Sequence, residues 1–158
     1  MPEESQPALT GGLGFSSLVR SRGDILLVVA AGGALGSLGR WGVDHLLPWS
    51  VGGFPWATFL ENVSGALVLG ILMVLLLDLW PPSRYARPFL GVGVLGGYTT
   101  FSTYALEIRD LLAADRPVTA MTYLFLSLVA ALLAVWLGTG LTRLAVRSTR
   151  RGAKGAAG

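Results

Sequence analysis

Between Pro117 and Arg143 lie 25 consecutive residues without a charge. A hydrocarbon core takes about 20 helical residues to cross, so this run is long enough to span a bilayer. The rest of the chain agrees: 53% of its 158 residues are hydrophobic and 13% charged, with mean hydropathy +0.63. Three further apolar stretches come earlier, at 25–47, 56–79 and 88–112. In lipid each backbone amide and carbonyl must be bonded internally, which at these lengths means helix. The expected fold is therefore an all-α membrane protein with four transmembrane helices.

Residues 1–23 are polar and rich in Gly and Ser, without the basic start and apolar core of a secretory signal peptide, and are expected to form a mobile segment. A single four-helix membrane domain is expected over 24–145, its first helix capped by Asp24, followed by a basic tail at 146–158.

The third stretch is the unusual one. Residues 91–107 read GVGVLGGYTTFSTYALE, placing two glycines, two threonines and then Phe101, Ser102, Thr103 and Tyr104 at membrane depth. Glycine frees the backbone, and hydroxyls offer donors and acceptors that hydrocarbon lacks. Backbone exposed there is tolerated only against protein or a watery path, so the spacing predicts a third helix broken in its middle, built to hold ions.

The other helices carry lesser signals. Gly32 and Gly36 have the small-xxx-small spacing of close helix packing, and Arg40 lies near the far end of the same helix. The second helix opens with Thr58, Glu61, Asn62 and Ser64 before a clean apolar run. Thr58 and Asn62 are four apart and share a face, as do Tyr123 and Ser127 on the fourth helix. Asn62 is equally readable as a bond between helices or as a pore residue.

Four helices place both termini on one side. Nine Lys and Arg (Arg20, Arg22, Arg84, Arg87, Arg143, Arg147, Arg150, Arg151, Lys154) lie on that side, against Arg40, Arg109 and Arg116 on the other. The positive-inside rule then sets the termini in the cytoplasm. Gly91, Gly93 and Gly96 spell a dinucleotide fingerprint, yet without a βαβ unit the match is discarded. His45 is the only histidine and there is no cysteine, which removes multi-histidine and thiolate metal sites; no Ser/His/Asp set is placed for catalysis, so no enzyme is expected.

Three blocks carry a family likeness: GGALGSLGRW at 32–41, WATFLENVSG at 56–65 and GGYTTFSTYALE at 96–107. On these the chain resembles the Fluc (CrcB-like) fluoride channels, small four-helix bacterial membrane proteins, with a weaker match at Tyr123 and Ser127. The resemblance implies an antiparallel, dual-topology dimer in the bacterial inner membrane, with two narrow pores that let fluoride leave the cytoplasm passively. It implies that Asn62 donates its amide to the anion and that Phe101 and Tyr104 line the path with ring edges. Thr58, Ser102, Thr103, Tyr123 and Ser127 would form a polar track. The backbone carbonyls of Gly96 and Thr99, from both subunits, would hold a structural sodium ion. Arg40 and Glu107 match family positions of underived role.

The physics is compatible. Fluoride is small and strongly hydrated, so compact N–H and O–H donors must replace its water, and aromatic edges add positive potential without a trapping charge. Three features depart from the pattern: Glu61 stands where the family is usually apolar, Tyr104 replaces a phenylalanine, and the nine-to-three charge bias opposes equal insertion in both orientations. The last raises pairing with an oppositely oriented paralogue beside pairing with a second copy. Two other function classes are a small dual-topology multidrug or cation transporter, which Glu61 is the only feature to favour, and a structural subunit of a larger membrane complex.

Overall fold

The computed structural model describes the backbone of residues 15–155 apart from residue 82, and side chains over 22–148 with the same exception. It is helical throughout, with no strand among the described residues. Helix α1 runs Phe15–Leu46; α2 runs Trp56–Val74 and widens into a π turn at Leu75–Leu79. The third stretch is a π-wound segment Arg87–Val94 leading into α3, Leu95–Tyr98, and then, after a break, α4, Ser102–Ala113. Helix α5 runs Pro117–Gly155.

Three segments are long and apolar enough to cross a membrane, at Arg22–Leu46, Trp56–Leu79 and Pro117–Ser148. The third stretch is not among them, because its helix stops at Tyr98 and restarts at Ser102.

Two expected boundaries need correction. Asp24 caps nothing, since α1 is already helical from Phe15; its carboxylate is instead held by Arg84 at 3.0 Å and by the Tyr85 hydroxyl at 2.8 Å. That bond raises the Tyr85 phenol above its ordinary pKa, because losing the proton would set two negative oxygens together. The expected mobile segment is helical over residues 15–23, and its first fourteen residues lie outside the described ones. The expected tail at 146–158 continues α5 as far as Gly155.

The helices pack in two pairs, α1 against the third stretch and α2 against α5. Glycine makes the first pairing possible: a methyl on Gly36 would run into the Val94 carbonyl, and one on Gly32 would stand 2.5 Å from the Phe89 carbonyl oxygen. The α4–α5 turn is tight. Asp115 takes a left-handed φ of 57°, while the Arg116 amide returns to the Leu111 carbonyl at 2.9 Å. This hairpin buries Leu111, Ala120 and Tyr123 completely beneath Phe54, Phe59 and Tyr104. A second small cluster joins Leu72, Leu76 and Leu95.

The remaining apolar surface points outward. Leu26, Leu27, Leu35 and Leu38 on α1 and Leu128, Leu132 and Trp136 on α5 are all exposed, the pattern of helices solvated by lipid.

Candidate functional site at the break

The break is a short extended link. Thr99 has φ −86° and ψ 156°, and by Phe101 the backbone is helical again at φ −93°, ψ −33°. The link takes the Thr100 amide out of the helical ladder. Asn62 on α2 meets that need with both ends of its side chain: Nδ2 donates to the Thr100 carbonyl at 3.0 Å, and Oδ1 accepts from the Thr100 amide at 2.9 Å. Thr100 then caps the restart, its Oγ1 accepting from the Thr103 amide at 3.2 Å and donating to the Thr103 hydroxyl at 3.0 Å. Ser102 lies 3.3 Å from the same oxygen. Close approach of α2 depends on Gly65, where a methyl would collide with the Thr99 side chain.

Asn62 stands between two concavities. One, of about 270 Å³, is lined by Asn62, Phe101, Tyr104 and Ser127 among others. Phe101 is 80% exposed there, with its ring centroid 5.9 Å from that of Tyr104. Ser127 is buried, and its hydroxyl has no hydrogen-bond partner among the described residues. The Asn62 amide keeps a second N–H beyond the one given to Thr100. The concavity thus brings together a spare amide donor, an uncommitted hydroxyl and two aromatic rings.

The other concavity, of about 330 Å³, includes Asn62, Gly65, Gly96 and Thr99. Here the break has a chemical consequence. The amide that would close the turn on the Gly96 carbonyl belongs to Thr100 and goes to Asn62; the one facing Thr99 belongs to Thr103 and goes to Thr100. Both carbonyls are released from their helical partners, and carbonyl oxygen is a donor suited to a hard cation. The residues present fit a sodium ion. Among the described residues no group of three His, Cys, Asp or Glu side chains could hold a metal.

The expected polar track is divided. Thr58 and Tyr123 turn away from Asn62 and give their hydroxyls to Glu107, at 2.8 Å to Oε1 and 2.6 Å to Oε2. All three are buried, so Glu107 sits in a closed cage of donors. Tyr104 contributes its ring to the concavity but not its hydroxyl, which donates to the Leu124 carbonyl at 2.7 Å. The extra oxygen relative to phenylalanine is consumed by α5. Arg40 is half-buried on α1, and Asp44 lies one turn further on.

Glu61 is fully enclosed, and neither carboxylate oxygen has a hydrogen-bond partner among the described residues. The charges that reach it are those of Asp44, Arg40 and Glu107.

Thr100 is the residue sequence reading left out of the site. The signal was present: a threonine three residues before Thr103, at a helix restart, is the spacing of a cap.

Residues 27–139 match the family described as CrcB-like protein, Camphor Resistance (CrcB). The chain is similar to the fluoride-specific ion channel FluC 2 of Nocardia farcinica, 49% identical over 127 residues, which are 80% of this chain and 91% of the relative. It is 44% identical over 124 residues to fluoride-specific ion channel FluC 1 of Streptomyces coelicolor, covering 78% and 80% of the two chains. Over 113 residues, 71% of this chain and 90% of the other, it is 45% identical to a fluoride-specific ion channel FluC of Thermus thermophilus.

Proposed function

We propose, from the premise that the chain belongs to the CrcB-like protein family, that it is a fluoride-selective channel and moves the ion passively out of the cytoplasm. The observation that carries this reading is the concavity beside the break, where the Asn62 amide, the unpartnered Ser127 hydroxyl and the rings of Phe101 and Tyr104 meet. Fluoride surrenders its water only to compact donors at close quarters, and those groups are of that kind. Neutral donors and ring edges stabilise the ion without holding it as tightly as a cationic side chain would.

In the full account the broken third stretch counts as the fourth span, and two chains pair antiparallel in the bacterial inner membrane. Pairing doubles the break, so that Gly96 and Thr99 carbonyls from both chains would hold sodium on the shared axis. A cation there supplies positive potential and charge compensation to backbone dipoles at membrane depth. This chain's own part is to keep those carbonyls out of the helical ladder, which Asn62 and Thr100 do.

Pairing with a paralogue instead of a second copy is favoured only by the charge bias. The chain contains no cysteine, so one introduced at Ser148 is a clean reporter. Dual insertion predicts that about half of the Ser148→Cys molecules react with an impermeant thiol reagent from outside spheroplasts. Labelling near zero, together with channel activity only on co-expression of a second family member, would establish the paralogue instead.

A cation transporter built on Glu61 is the second reading, favoured by that buried, unpartnered carboxylate. The two separate in a fluoride-sensitive host lacking its own exporter. The channel reading expects restored growth in fluoride, retained by Glu61→Gln and lost by Asn62→Asp, which adds negative charge to the ion's path. Loss with Glu61→Gln and retention with Asn62→Asp would reverse the assignment.

A further inference from the structure

We propose that the cleft between the far ends of α2 and α5 binds the phosphodiester of a membrane phospholipid. The cleft has a volume of about 380 Å³ and is lined by Val74, Asp78, Arg143, Val146 and Arg147. Asp78 belongs to the π turn Leu75–Leu79 that closes the apolar segment Trp56–Leu79, and both arginines to the last turns of the segment Pro117–Ser148. The cleft therefore sits where hydrocarbon gives way to headgroups, with exposed Trp80 at the same level.

Its charges are unbalanced. Arg143 Nε stands 3.8 Å from Asp78 Oδ2, with side chains 58% and 47% exposed, so the pair is loose and reached by water. Arg147 is exposed and makes no ion pair among the described residues. One carboxylate against two guanidinium groups leaves a single positive charge, the complement of one phosphodiester. Guanidinium presents paired donors that match two phosphate oxygens. The valine walls add what a free anion would not use and an acyl chain would. The neighbouring cleft of Leu77, Trp80, Arg84 and Arg87 is a weaker case, because Arg84 is already held by Asp24 at 3.0 Å.

The test does not depend on ion conduction. Purified full-length protein is equilibrated in mixed micelles of phosphatidylglycerol and phosphatidylcholine, and retained lipid is counted by native mass spectrometry. Wild type keeps phosphatidylglycerol preferentially. Each arginine near the membrane surface is worth about 1 kcal/mol, or about five-fold in retention, so Arg143→Gln/Arg147→Gln loses about 25-fold. Arg147→Gln alone, exposed and outside any ion pair among the described residues, loses about five-fold and serves if the double variant fails to purify. Asp78→Asn moves the other way, raising retention by freeing Arg143. Arg109→Gln, at the opposite end of the bundle, leaves it unchanged. Unchanged retention in the arginine variants would overturn the proposal. So would a fall with Asp78→Asn, which would make Asp78 and Arg143 a structural staple, or displacement of the lipid by millimolar inorganic phosphate, which would make this a free-anion site.

Discussion

Glu107 and Glu61 are enclosed by the same bundle, at 7% and 0% exposure, and their surroundings are opposite. Glu107 receives one hydroxyl on each carboxylate oxygen, from Thr58 and from Tyr123. Glu61, one turn along α2 from Thr58, receives none. Burial alone therefore says little about what a carboxylate does. The Glu107 cage is specified by direction and distance from two other helices, whereas the Glu61 pocket is specified by volume. The first is part of how α2, α4 and α5 are held in register; the second is a position where hydrocarbon would serve the fold better.

The largest effect expected on the satisfied side of this contrast is at Asn62, the neighbour of Glu61. Asn62→Leu strands the Thr100 amide and carbonyl and, on the proposed function, removes a donor to the ion. A bond to a charged partner is worth about 1.5–3 kcal/mol, so fluoride efflux falls about a hundredfold, with a lower melting temperature. Near-normal efflux would mean the break holds itself open without α2.

Glu107→Leu comes next. It leaves two buried hydroxyls without an acceptor and costs about 3 kcal/mol in denaturant or thermal unfolding. Glu61→Leu carries the opposite sign: removing an unsatisfied buried carboxylate stabilises by about 1–2 kcal/mol with fluoride efflux retained. Should Glu61→Leu destabilise as much as Glu107→Leu, the two sites would be alike and the contrast void. The smallest effect is at Tyr104. Tyr104→Phe loses the bond to the Leu124 carbonyl, about 1 kcal/mol of stability, while the ratio of fluoride to chloride efflux stays as it was.

The break was legible because it is local: GGYTT followed by FST contradicts a continuous apolar helix in its own composition. The close approach through Gly32 and Gly36 was legible for the same reason, as a spacing along one helix. What the sequence could not give was which partner each polar group chose. Thr58 and Asn62 share a face of α2, yet one turns to Glu107 and the other to Thr100, a choice made by where α4 and the link happen to lie. The destination of the Tyr104 hydroxyl was equally out of reach, set by the nearness of the Leu124 carbonyl on α5. Asp24 read as a helix start, and only the return of the chain at Arg84 and Tyr85 gives its carboxylate other work.

The central claim is that the groups gathered beside the break select fluoride. Liposomes containing this chain alone, loaded with equal fluoride and chloride and monitored with an electrode for each, test it directly. The account predicts rapid fluoride release on collapsing the membrane potential and chloride release no faster than from empty liposomes; equal release of the two ions would contradict it.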